Sequence, residues 1–246
     1  LVVADMRSVG SSGLEKVDAL IEAAAKTPID LVISLGGHDT ADLNAKALLA
    51  SLSIPGGLTW ALAGDREDVS AHRKLVAELR DEGLPIVDAT RHPVLDIEGW
   101  RLLALPGVDK ALNLVAGTEG CVHTLADVQA LASSLEGRAD RSSLVLSYAP
   151  IRQEGEGGSD VGPNGVHLGE RAPLVLSNSK AVMAVLHGMV SPPTGAPSAG
   201  RASAKTGAPH HLAAGSLDPL EPPTGALLVQ VKGERITWKR LSVSPN

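Results

Sequence analysis

Apolar and polar positions change period several times along the chain, and the first half alternates between two of those periods. Residues 1–4 (Leu1-Val2-Val3-Ala4) read as a strand, after which residues 13–26 place Leu14, Val17, Ile21 and Ala24 at the three-to-four spacing of a helix. Pro28 stops that helix, and residues 29–35 (Ile29-Asp30-Leu31-Val32-Ile33-Ser34-Leu35) form the next strand. The unit then repeats: a helix over 41–52, a strand over 58–63, and a third helix whose buried face is Val69, His72, Val76 and Leu79 and which ends at Gly83. Short β segments follow at 85–87, 94–97 and 100–105, the last two joined by the turn pair Glu98-Gly99. The pattern further predicts a helix over 124–135 capped by Thr124, a buried strand over 143–147, and a closing hairpin of 225–231 with 235–243. Strands alternating with helices predict an α/β protein in which helices cover mixed sheets.

Composition narrows this picture. The chain has 246 residues, 43% of them apolar, and a formal net charge of −6, which suits a globular protein of one large or two small domains with a full core. Its apolar runs fall far short of the roughly twenty residues that a membrane-spanning helix needs. Mild acidity without a long basic run argues against nucleic acid as a partner. The single cysteine, Cys121, excludes an intrachain disulfide framework and a cysteine-based zinc knuckle. Leu1 already lies inside a strand, so a segment carrying the start methionine is expected upstream. Residues 153–165 hold five glycines and three acids, and residues 191–209 are rich in Pro, Gly, Ala and Ser; both are expected to be flexible surface loops. The adjacent pair His210-His211 is expected to be exposed, Cys121 to be partly buried, and at least two of Trp60, Trp100 and Trp238 to pack in the core.

In α/β folds ligands sit at strand ends, and five strand ends here carry short polar clusters bounded by Gly or Pro. In order they are Ala4-Asp5-Met6-Arg7, Leu35-Gly36-Gly37-His38-Asp39, Ala63-Gly64-Asp65-Arg66-Glu67, Ser147-Tyr148-Ala149-Pro150 and Leu186-His187-Gly188-Met189-Val190-Ser191. In order and spacing this set resembles the calcineurin-like metallophosphoesterases, whose motifs run D-x-H, G-D-x-x-D, G-N-H-D/E, a lone strand-end His, and G-H-x-H. The resemblance covers nearly the whole chain. It implies a four-layer α/β sandwich, two mixed β-sheets flanked by helices, in a single domain spanning 1–246.

Active members of that family hold two metal ions, which bind phosphoryl oxygens and lower the pKa of a bridging water. Each ligand must offer a lone pair. Against that requirement Asp5 is kept, but its partner imidazole has become Arg7, which has no acceptor. The bridging carboxylate position falls on Gly37, with His38 and Asp39 beside it. Asp65 is a conservative change, Arg66 stands where the proton donor would be, Tyr148 replaces an imidazole, and Met189 and Ser191 replace two more. His187 precedes the glycine of its motif and is not a ligand position. The resemblance therefore implies a vestigial pocket without catalytic residues, metal or cofactor. Its role would be that of a pseudoenzyme, a binding or assembly module whose partners are other protein subunits. Two alternatives stay open: a phosphoesterase with a mononuclear site of Asp5, His38 or Asp39, and Asp65, or a regulator that binds phosphate or a nucleotide without hydrolysis. Fixed positive charge from Arg7 and Arg66, paired with Asp5, Asp39 and Asp65, is expected to stand where the ions would be, and the same arginines could hold a small anion.

Overall fold

The computed structural model describes residues 1–6, 11–38, 44–110, 119–138, 140, 142–153, 158–161, 165–189, 199–203, 209–215 and 225–242. Among the described residues the chain is α/β, with two mixed sheets and five helices. In the larger sheet β1 (Val2–Val3), β2 (Leu31–Ser34), β3 (Leu58–Ala61) and β4 (Ile86–Asp88) run parallel, each linked to the next by α1 (Ser11–Ala24), α2 (Ala45–Ser51) or α3 (Val69–Asp81). These are the expected β–α repeats, with ends moved by a few residues.

The smaller sheet is built from β5 (Val94–Ile97), β6 (Trp100–Leu105), β7 (Ser143–Ser147), β8 (Val182–His187) and β10 (His210–Ala213), in the order β10-β8-β7-β6-β5. The β5–β6 hairpin turns on Glu98 and Gly99, both with left-handed backbone at φ 48° and 82°. Two further helices, α4 (Leu125–Ser133) and α5 (Leu174–Ser177), accompany this sheet. Thr124 caps α4 as expected, its hydroxyl accepting the Asp127 N–H while Asp127 accepts the Thr124 N–H.

Both sheets contribute to one central core, in which Val2, Ile33 and Trp60 of the larger sheet meet Leu102, Leu144 and Leu186 of the smaller. The other face of the larger sheet buries Val3 and Ala61 against Val17 and Leu20 of α1, Leu48 of α2 and Val76 of α3. The other face of the smaller sheet packs Leu103 and Val145 against Val128 of α4 and Leu176 of α5. Burial on both faces explains why β2, β7 and β8 are continuous apolar runs. Trp60 and Trp100 are buried and Trp238 is half-buried; the Trp100 indole donates to the Gly233 carbonyl at 3.1 Å, tying one sheet to the hairpin of the other.

Three expectations are corrected. Residues 199–203, inside the predicted loop 191–209, form β9 (Ala199–Ser203), which pairs antiparallel with β12 (Arg235–Ser242) beyond β11 (Gly225–Lys232). A Cβ on Gly200 would fall 2.2 Å from the Trp238 ring, so only glycine lets the indole lie on that strand. His210 and His211 are half-buried rather than exposed, because β10 pairs with β8. Within the predicted loop 153–165, Asp160 is fully buried, accepting from the Gln153 N–H at 3.2 Å and facing His167 Nδ1 at 2.9 Å. The remainder of both stretches lies outside the described residues.

Candidate functional site

Strand ends from both sheets bring Asp5, Gly37, Asp65, Tyr148 and Met189 together. Asp5 follows β1 with φ 49° and Met189 follows β8 with φ 61°, a conformation rare for residues other than glycine. The two are joined directly, the Met189 N–H donating to Asp5 Oδ2 at 3.1 Å. Tyr148, fully buried, places its hydroxyl 2.6 Å from Asp65 Oδ1 and 3.2 Å from Asp5 Oδ1. One phenol thus ties together two buried carboxylates. Burial, and then the charges of Asp5 and Asp65, push the phenol well above its ordinary range, so it remains a donor at any physiological pH. Gly37 stands against this group with φ 83°; a Cβ there would come 2.7 Å from both Asp5 Cα and Asp5 Oδ1.

A second buried polar chain runs alongside. Glu67 accepts the backbone N–H of Gly37 at 3.1 Å and that of Gly64, and its other oxygen lies 3.8 Å from His38 Nδ1. His38 Nε2 is 3.3 Å from His72 Nδ1, and His72 Nε2 is 3.5 Å from Asp88 Oδ1. Glu67, His38 and His72 are fully buried, and Asp88 nearly so. Burial alone would raise the Asp88 carboxyl, but hydrogen bonding from His72 and Thr90 outweighs it and keeps the pKa below the usual carboxylate range. His72 belongs to the predicted buried face of α3, whereas its contact with His38 is tertiary and has no local signature. Sequence reasoning missed Glu67, His72 and Asp88 as a unit.

His187 belongs to a different group. Its Nε2 lies 2.9 Å from Ser159 Oγ and its Nδ1 3.1 Å from the Gly188 carbonyl, while Ser159 also accepts from Gln153 Nε2 at 2.6 Å. Burial lowers its pKa to about 4, with His211 and Arg240 adding repulsion and Asp160 opposing them. His211 is likewise lowered to about 4, again chiefly by burial. The unfolded chain therefore takes up protons at these positions before the folded one does, and stability declines as pH falls from about 6.5 toward 4. Replacing His187 by Gln should remove up to about 3 kcal/mol of that acid-side loss. Urea unfolding at pH 7 and pH 4.5 measures it, and equal pH dependence in the two proteins would contradict the assignment. His123 acts in the opposite sense. Burial would lower it, but the Glu170 carboxylate 3.0 Å away and the Pro106 carbonyl raise it, so its contribution is lost as pH rises through the folded value.

Of the residues singled out in the sequence, Asp5, Gly37, Asp65, Tyr148 and Met189 meet at one point. His38 lies next to them but contacts Glu67 and His72, and His187 makes its hydrogen bonds to Ser159 and Gly188. Arg7, Asp39 and Ser191 lie outside the described residues. Of the pairing expected of Arg66, among the described residues it pairs with neither Asp5 nor Asp65, and its buried Nε has no hydrogen-bond partner; its pairing with Asp39 and the pairing of Arg7 lie outside the described residues. Among the described residues the hydroxyl of Tyr148 is set between Asp5 and Asp65. Among the described residues no three His, Cys, Asp or Glu side chains are grouped to hold a metal ion, and no helix is long and apolar enough to cross a membrane.

No protein-family model matches the chain. No curated protein matches it either. A solved crystal structure aligns with 98% of this chain and 98% of its own, with a TM-score of 0.67 and 12% sequence identity. At that identity the likeness concerns the fold alone.

Proposed function

We propose that this chain is a metallophosphoesterase-like four-layer sandwich that has given up dinuclear hydrolysis and serves as a non-catalytic binding or assembly module among other protein subunits. The observation that carries this reading is the Tyr148 hydroxyl set between Asp5 and Asp65. A metal pair needs lone pairs aimed at a common centre. Here the two carboxylates face a protonated phenol instead. The side chain of a bridging ligand cannot enter at position 37 without displacing the Asp5 backbone. A dinuclear centre therefore does not fit these residues. Left-handed backbone at Asp5 and Met189, hydrogen-bonded to each other, supports the idea that a ligand-bearing strand-end geometry outlived its ligands.

Purified protein supplied with Mn²⁺ is expected to hydrolyse an aryl phosphate no faster than its Asp5→Ala variant. Turnover that depends on Asp5, with stoichiometric metal, would favour the mononuclear hydrolase. For the assembly role, the protein purified from its native source without denaturant is expected to elute well above the mass of its own polypeptide measured under denaturing conditions, and elution at that mass would contradict it. One observation favours a second reading, retention of a small anion: the buried Arg66 Nε without a partner. Inorganic phosphate that raises the thermal midpoint of wild type but not of Arg66→Gln would support it.

A further inference from the structure

Beside the Tyr148 group lies a cleft of about 220 Å³ between α3, the segment after β4, the end of β6 and α4. Val69, Pro93, Pro106 and Leu131 give it apolar walls, and Arg73 and Cys121 also line it. Arg73 is fixed by a hydrogen bond from its Nε to Thr90 Oγ1 at 3.0 Å. Its two terminal amino groups make no hydrogen bond among the described residues, and its side chain is 39% exposed. The nearest acid, Asp88, is shared, with Arg73 Nε at 3.9 Å and Arg91 Nε at 3.8 Å, so one carboxylate faces two guanidiniums.

The other charged groups of the cleft are already engaged. Asp127 is held by the N–H and hydroxyl of Thr124 in the α4 cap. His123 is held between Glu170 and the Pro106 carbonyl. Arg73 is thus the lining cation with unused donors, and its paired amino groups match the two oxygens of a carboxylate. The volume falls below the roughly 300–1,000 Å³ of pockets for drug-sized ligands, which excludes a nucleotide and admits a molecule the size of benzoate.

We propose that this cleft binds a small organic monoanion, a carboxylate on an apolar body, anchored by the terminal amino groups of Arg73. The proposal does not rest on the fate of the strand-end metal site, since none of the residues it uses belongs to that group.

Cys121 is buried and burial pushes its thiol up to about 12, so thermal stabilisation rather than alkylation reads occupancy of the cleft. Benzoate at about ten times its dissociation constant is expected to raise the thermal midpoint by about 3–6 °C. Benzamide, equal in shape but uncharged, should leave it unchanged. Arg73→Gln should abolish the benzoate effect, and Thr90→Val, which frees the guanidinium from its hydroxyl partner, should weaken it. The unliganded melting of each variant shows whether it is folded. No stabilisation by benzoate, equal stabilisation by benzamide, or full stabilisation by benzoate of folded Arg73→Gln would each overturn the proposal.

Discussion

Gly37→Asp, which supplies a carboxylate at the position where the family resemblance calls for a bridging ligand, is expected to destabilise the protein by about 2–5 kcal/mol and to confer no metal-dependent hydrolysis. Gly37 has φ 83°, and a left-handed conformation costs other residues roughly 1–2 kcal/mol. Aspartate tolerates it better than most, as Asp5 does at φ 49°. The larger difficulty is space. The new Cβ would stand 2.7 Å from Asp5 Cα, a backbone atom that cannot rotate away, and overpacking of that kind costs about 1–3 kcal/mol. The added charge would also lie beside two buried carboxylates. Against a total stability of about 5–15 kcal/mol this is a severe loss. Urea unfolding measures it, and an aryl phosphate assay with Mn²⁺ checks the second half. A variant as stable as wild type that binds metal would show that the site can be refilled.

Glu67→Ala is the second large effect, about 3–5 kcal/mol of lost stability. Glu67 is fully buried and accepts the backbone N–H groups of Gly37 and Gly64, which hold two strand ends in register. Alanine would leave both donors dry and without an acceptor, and would open a cavity beside His38. Glu67→Gln keeps a carbonyl oxygen toward the two amides and should recover most of the loss. The pair of variants separates the hydrogen-bonding role from the charge. A denaturation midpoint for Glu67→Ala within about 1 kcal/mol of wild type would contradict this account of the strand ends.

How far the sequence could be read depends on where each signal resides. β2, β6 and β7 are dense in Leu, Val and Ile because helices or the opposite sheet cover both faces, and that burial is written into local composition. β9 carries no such signal. Its Ala, Gly, Arg and Ser residues join the sheet through backbone pairing with β12 and through the room that Gly200 leaves for Trp238. The convergence of Asp5, Asp65 and Tyr148 was legible as an ordered set of strand ends. What Tyr148 does there was not, because the family resemblance marks position 148 only as lacking an imidazole, and it takes the fold to show the hydroxyl lying between two carboxylates. Arg66 is a second case: a guanidinium beside acids in the sequence suggests pairing, yet among the described residues it pairs with neither Asp5 nor Asp65 and its buried Nε has no partner. The Glu67–His38–His72–Asp88 chain joins a strand-end loop, a helix face and another strand end, and no linear spacing encodes it.

Crystals soaked in Mn²⁺ and measured for anomalous scattering are expected to show no anomalous peak between Asp5 and Asp65, with the Tyr148 hydroxyl still within hydrogen-bonding distance of both. A manganese ion bound by those two carboxylates, with the phenol displaced, would contradict that expectation.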